Sequence, residues 1–168
     1  MNPFVIDVNV PMVANNQAPQ ADNKCVQACV KALDRVYKNG KVFIDDGGWI
    51  LEEYKKNLKV KGQPGLGDAF MKWIWERQAM LRCGRVMLTL RNDGKDDFNE
   101  FPVDSVLKNF DKADRKYVAV AIVSGESPVV LNAVDSDWWE HKDALKKHGV
   151  NVEFLCPQCV DGGRKKKK

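Results

Sequence analysis

Short apolar runs and stretches of helical periodicity alternate along this chain. Phe4 to Asp7 is a short apolar segment with the look of a strand. Asn9-Val10-Pro11 reads as a turn, and residues 12 to 21 as a polar loop or ragged helix start. From Asp22 to Tyr37 the apolar positions Val26, Cys29, Val30, Leu33 and Val36 recur at helical spacing, with Asp22 as N-cap and Asn39-Gly40 as the stop. Residues 41 to 45 form a second strand, and Asp46-Gly47-Gly48 turns the chain into a helix from Trp49 to about Leu58. A loop at 62 to 67 leads to a helix over about 69 to 80, which Asp68 could cap. Residues 85 to 90 suggest a third strand, 91 to 102 a polar loop, and 103 to 110 a short helix. A helix is expected from Asp114 through Val123. The continuous run Val129 to Val134, bounded by turn signals, reads as a strand buried on both faces. A helix over 138 to 148, stopped by Gly149, and a last strand over 150 to 155 complete the pattern. Strands alternating with helices predict an α/β fold with a mainly parallel sheet and right-handed crossovers.

The length, 168 residues, suits one domain over 1–160 with a tail at 161–168. The net charge of +4 is concentrated at one end, because Arg164, Lys165, Lys166, Lys167 and Lys168 alone carry +5. The basic excess is therefore not spread over a nucleic-acid-binding face. The tail reads as a solvated run that could hold a polyanion non-specifically. No apolar stretch reaches the roughly 18 residues a membrane span needs. Met1-Asn2-Pro3 leads directly into a strand without a basic leader, so the expected compartment is the cytoplasm, with the five cysteines as free thiols.

Acidic residues add chemistry to this frame. Asp7 ends the first strand, and Asp135 and Asp137 follow the strand at 129–134. Glu53 lies in the helix after the second strand, beside an equally acidic Glu52, and Asp114 opens a later helix. In parallel α/β sheets the carboxyl ends of the strands form the ligand crevice. Clustered buried carboxylates are costly unless a cation meets them, and Mg²⁺ and Mn²⁺ prefer oxygen ligands. Hydrolysis of a phosphodiester by two metal ions, roughly 3.5 to 4 Å apart, needs such a convergence. Asp135 and Asp137 would share one face if strand geometry continued past Val134. Singly, each acid has a plainer role open to it, as turn former, N-cap or first-turn helix acid.

Other features point elsewhere less strongly. Cys156-Pro157-Gln158-Cys159 supplies two of the four ligands a structural zinc needs, and Cys25, Cys29 or His148 would have to be brought to it by folding; ordinary thiols are the default. Gly62 to Gly67 lacks the Lys-Ser/Thr of a phosphate-binding loop. Phe70, Trp73 and Trp75 read as core or a dimer surface rather than a base-stacking platform, and one of Trp138 and Trp139 must face outward. His141 and His148 read as solvated. Asn9 stands where a phosphatase of the haloacid dehalogenase type would have its second Asp, which argues against phosphotransfer through Asp7.

Four segments together resemble the motifs of PIN-domain ribonucleases: Val5-Ile6-Asp7-Val8-Asn9-Val10, Ile50-Leu51-Glu52-Glu53-Tyr54, residues 114 to 121, and Val134-Asp135-Ser136-Asp137-Trp138. They occur in the family's order across residues 4 to 138. The resemblance implies a three-layer α/β/α fold with about five parallel strands. It also implies Mg²⁺- or Mn²⁺-dependent endonuclease activity, usually on RNA. Asp7, Glu53, Asp114 and Asp135 would then be catalytic and hold the metal, Asp137 would assist, and Asn9 would orient Asp7 or a nearby backbone. Many such proteins are toxins held by an antitoxin, so an inhibitor protein is an implied partner, and a homodimer is open. Inserted stretches around 59–84 and 91–102, the Cys-Pro-Gln-Cys end and the lysine tail depart from the compact toxin type. The alternatives are a PIN-like module that binds RNA or protein without hydrolysis, and a structure-specific DNA nuclease.

Overall fold

Five parallel strands form the centre of the computed structural model, which describes residues 1–61, 63–91 and 95–160. They are β1 (Asn2–Ile6), β2 (Gly40–Asp45), β3 (Cys83–Val86), β4 (Val129–Asn132) and β5 (Asn151–Phe154), in the spatial order β3-β2-β1-β4-β5. β1 is central, and Phe4, Val5 and Ile6 are all buried although successive side chains point to opposite faces. Both faces of the sheet are therefore covered, giving the three-layer α/β/α arrangement. The helices are α1 (Asn9–Ala14), α2 (Asn23–Asn39), α3 (Trp49–Asn57), α4 (Leu66–Arg77), α5 (Arg115–Val123), α6 (Ser136–Glu140) and α7 (Lys142–Lys147). α2 packs on β1 and β2, while α5 lies across β1, β2 and β4. α1, α2 and α4 pack on one another, α3 touches both α4 and α5, and α7 packs on β5.

Several local expectations shift for identifiable reasons. Asn9-Val10-Pro11 starts α1 rather than turning the chain, since a proline in the first helical turn displaces no needed hydrogen bond. β3 is Cys83–Val86 rather than 85–90, because its partner β2 ends at Asp45, opposite Val86. α4 begins at Leu66, and Asp68 serves it from the third position, accepting a hydrogen bond from the Gly65 N–H at 3.0 Å. Residues 103–110 hold only a 3-10 turn, Ser105–Leu107, capped by Asp104. The helix expected over 138–148 breaks at His141. There the backbone N–H and the ring Nδ1 both reach the Asp137 carbonyl, at 3.2 and 2.8 Å. His141 is thus not solvated: it packs edge-on against Phe110. His148 pairs with Asp104 at 2.9 Å. Trp138 is buried against Phe110, and its neighbour Trp139 packs on Phe154. Phe70 is core, and Trp73 is covered by Arg77 and Arg82.

The free-thiol expectation is corrected in part. Cys25 on α2 and Cys156 after β5 form a disulfide across 131 residues of sequence, while Cys29, Cys83 and Cys159 are free. Sequence distance hides this pairing, since only the docking of α2 beside the end of β5 brings the two sulfurs together. No helix among the described residues is long and apolar enough to cross a membrane. Asn92, Asp93 and Gly94 of the loop expected over 91–102, Gly62, and the expected tail at 161–168 lie outside the described residues.

The segment 95–102 does more than bridge elements. Phe98 and Phe101 are buried. The buried Arg115 binds the carbonyls of Lys108 and Phe110 and pairs with Asp97 at 3.1 Å, fastening the segment to the start of α5.

α1 and α4 meet at Gly67, where an added Cβ would lie 1.8 Å from the Pro11 carbonyl oxygen. Backbone cannot yield as a side-chain tip can. Gly67→Ala is expected to destabilise the fold by about 1–3 kcal/mol, read as a lower urea midpoint at unchanged slope; an unchanged midpoint would show that the two helices separate freely.

Candidate metal centre

The strand order reverses between β1 and β4, since the chain first builds outward through β2 and β3 and then returns to the other side of β1. A crevice at the carboxyl ends of those two strands is the usual ligand position of such a sheet. Asp7 is the residue directly after β1. Asp135 follows β4 by three residues and is the N-cap of α6, its side chain accepting from the Asp137 N–H at 2.9 Å. Asp114 closes a 3-10 turn, Lys112–Asp114, and occupies the N-cap position of α5 without making a side-chain capping bond. Its carboxylate turns toward the other two instead. One oxygen each of Asp7, Asp114 and Asp135 lies within 4.8 Å of the others.

The trio is held from below by polar groups of the two strands. Asp7 accepts from the Asn9 N–H at 2.9 Å and from Asn132 Nδ2 at 3.5 Å. The other end of the Asn132 amide, Oδ1, accepts from the Asp135 N–H at 3.3 Å. Asn132 therefore joins two of the three acids. It is a fully buried amide in an otherwise apolar strand, and that break in the pattern was the sequence signal for it. The Asn9 side chain accepts from the Ala133 N–H at 2.9 Å, tying the start of α1 to the end of β4.

Glu53 sits beside the trio rather than in it. One oxygen accepts from the Tyr117 hydroxyl and the other from Lys116 Nζ at 3.1 Å. Both partners are buried residues of α5 that sequence reasoning passed over, and a lysine in that apolar helix was the available clue. The Tyr117 oxygen also accepts from the Val8 N–H at 3.3 Å, so one phenol links α3, α5 and the chain after Asp7. Glu52 points away to an exposed pair with Lys55, which separates the two neighbouring glutamates.

Asp137 does not share a face with Asp135. β4 ends at Asn132, and Asp137 falls in the first turn of α6. Its Oδ2 accepts from the Asp111 N–H at 2.8 Å and its Oδ1 lies 3.3 Å from His141 Nδ1. It thus braces the turn that delivers Asp114. Asp45, at the end of β2, is fully buried yet satisfied within the fold, accepting from the N–H groups of Trp49 and Ile50, each at 2.9 Å.

Electrostatics single out Asp7 and Asp114. Burial is the largest influence on Asp7, and Asp135 and Glu53 add repulsion; against the Asn9 hydrogen bond and Lys116 they push its carboxyl up to about 7. Burial, then Asp7 and Asp135, push Asp114 up to about 10. Burial also raises Asp137, against the opposing Asp111 hydrogen bond and His141. The donor set of the trio is all oxygen, anionic and convergent, which suits a hard divalent cation such as Mg²⁺ or Mn²⁺. A cleft of about 500 Å³ opens beside it, lined by Trp49, Glu53, Lys56, Lys95 and Lys116 among others.

No protein-family model matches the chain, and no curated protein or solved structure does.

The raised carboxyls fix the pH dependence of the metal-free protein. At pH values below 3.8, the ordinary value, both groups are protonated in the folded and unfolded chain, and their contribution to stability is intact. As the pH rises, the unfolded chain ionises first, so stability is lost up to about 7 through Asp7 and on to about 10 through Asp114. In EDTA at pH 8, Asp114→Asn is expected to melt above the wild type. Saturating Mn²⁺ should raise the wild-type Tm by roughly 5–10 °C, the effect of about a hundredfold excess over Kd. A variant less stable than the wild type in EDTA would mean that the Asp114 carboxylate serves the fold and not an ion.

Proposed function

We propose that this chain is a divalent-metal-dependent endoribonuclease of PIN type. The observation that carries the reading is the convergence of the buried Asp7 and Asp114 with the half-buried Asp135 at the switch point of the parallel sheet, with oxygens within 4.8 Å of one another. Burial and mutual repulsion hold Asp7 and Asp114 away from ionisation in the absence of metal, and a cation among the three oxygens would relieve that cost. The order of the acids along the chain, and their resemblance to the PIN motifs, favours nuclease chemistry over other uses of such a site.

Asp7, Asp114 and Asp135 would hold the ion. When bound, Mg²⁺ or Mn²⁺ neutralises charge building on a phosphate and makes an attacking water available at neutral pH. The remaining groups act through position. Asn132 and the Asn9 N–H keep Asp7 and Asp135 in register across two strands. Asp137 is a positioning residue for the Asp114 turn. Glu53, restrained by Tyr117 and Lys116, borders the site and could accept a proton from water or contribute a further ligand. The adjoining cleft carries Lys56, Lys95 and Lys116 together with Glu52, Glu53 and Asp96, so its charges balance and the choice of an RNA substrate rests on the resemblance to the PIN motifs. The lysine tail would add non-specific affinity.

Purified protein incubated with labelled single-stranded RNA in Mn²⁺ is expected to cut internally, and EDTA should stop it. Asp7→Asn and Asp114→Asn should each lower kcat/KM by roughly 10²–10³-fold, the scale for losing one preorganised electrostatic group. Asp45→Asn, at a structural acid, should leave the metal requirement unchanged. Cleavage of single-stranded or flap DNA alone would move the substrate and keep the chemistry. RNA retained without cleavage, and no Mn²⁺ affinity by calorimetry, would replace the enzyme with a binding module.

A further inference from the structure

Four of the five cysteines gather where the start of α2 meets the segment after β5. Cys25 and Cys29 lie four residues apart on α2, so their side chains share a face one turn apart. Cys156 follows β5, and the chain then winds into a helical turn over 157–160 in which the N–H groups of Cys159 and Val160 bond back to the Cys156 carbonyl, at 3.0 and 3.3 Å. That winding turns the second pair back toward α2. The sulfurs of Cys25, Cys29 and Cys156 are fully buried and within 4.8 Å of one another. Cys159, half-buried, packs on the same core one turn along from Cys156, outside the trio of sulfurs within 4.8 Å but close enough to Cys29 for their charges to interact. Asp22 holds the two segments together, its Oδ1 accepting from the Cys25 N–H at 2.8 Å and from Gln158 Nε2 at 3.5 Å. The fifth cysteine, Cys83, is in β3 and takes no part.

We propose that the reduced chain binds one zinc ion through Cys25, Cys29, Cys156 and Cys159. The disulfide Cys25–Cys156 is the oxidised alternative of the same cluster. A C-x₃-C on a helix facing a C-x₂-C on a turn offers four soft donors from two segments, as a closed structural zinc site requires. A disulfide satisfies only two of the four cysteines and leaves the buried Cys29 as a bare thiol beside Cys159. The two states exclude each other. Two equivalents of a thiol reductant open the disulfide to two protein thiols and become a disulfide themselves. Zinc then displaces four protons as the thiols bind it as thiolates. Either state ties the segment after the edge strand β5 to α2, so the C-terminal closure of the fold persists through the exchange.

The full chain, reduced under anaerobic conditions and freed of metal, should take up one equivalent of Co²⁺ with the intense visible and charge-transfer bands of tetrahedral thiolate coordination. Zn²⁺ should erase those bands stoichiometrically, and oxidation to the disulfide should prevent them. The double variant Asp7→Asn with Asp114→Asn should keep the bands, which separates this site from the carboxylate trio. Cys159→Ser is expected to weaken Zn²⁺ by at least the roughly 10–100-fold that an outer-shell change costs. With a thiol-reactive reagent, zinc should protect four cysteines and leave Cys83 unchanged. A reduced wild-type chain, folded by circular dichroism, that shows no thiolate bands with Co²⁺ overturns the proposal, as does equal thiol reactivity with and without zinc. The wild-type spectrum decides the matter even where a cysteine variant fails to fold.

Discussion

Carboxyl groups brought together in a largely buried place are the constraint around which this molecule is arranged. Asp7, Asp114 and Asp135 come within 4.8 Å of one another, and their repulsion together with burial holds two of them far from their ordinary ionisation. Nothing in the local conformation of any of the three requires this. Each is delivered by a different device: the end of the central strand, a helix cap and a 3-10 turn. The neighbouring polar groups then keep the three from moving apart. Asn132 joins Asp7 to Asp135, and Asp137 holds the turn before Asp114 through the Asp111 N–H.

The sheet makes that convergence possible. With β1 at the centre and β4 on its far side, the carboxyl ends of two adjacent strands open outward where no crossover covers them. Tyr117 and Lys116 reach from α5 to Glu53 on α3, so the rim of the crevice is built by helices distant in sequence. Tyr54 closes it from beneath, donating its hydroxyl to the Ile6 carbonyl at 2.5 Å. Asp45 shows the contrast: equally buried at a strand end, it spends both oxygens on the start of α3 and contributes nothing to the crevice.

A second concentration of reactive side chains lies around Cys25 and Cys156, made of sulfur rather than oxygen. The two clusters divide the donor chemistry of the chain between a hard site of oxygen and a soft one of sulfur. Both join segments more than a hundred residues apart, and both depend on the same parallel sheet to bring those segments side by side.

Strands and helices were legible along the chain because their signals are local: an apolar run between turns, or apolar residues recurring every three or four positions. The α/β class and the parallel sheet followed, as did the strand-end position of Asp7 and the left-handed glycine after α7, Gly149, at φ +81°. Each missed boundary had its cause in a neighbour. β3 stops where β2 stops, and the helix after Asp135 breaks where His141 reaches Asp137. The sequence favoured Glu53 over Glu52 only through the motif resemblance, grouped Asp137 with Asp135, passed over Lys116, Tyr117 and Asn132, and took free thiols as the default over a joint site for the cysteines. Only the tertiary structure separated them. Which side chains share a pocket is decided by strand order and helix docking, and those depend on contacts between residues that no local pattern connects.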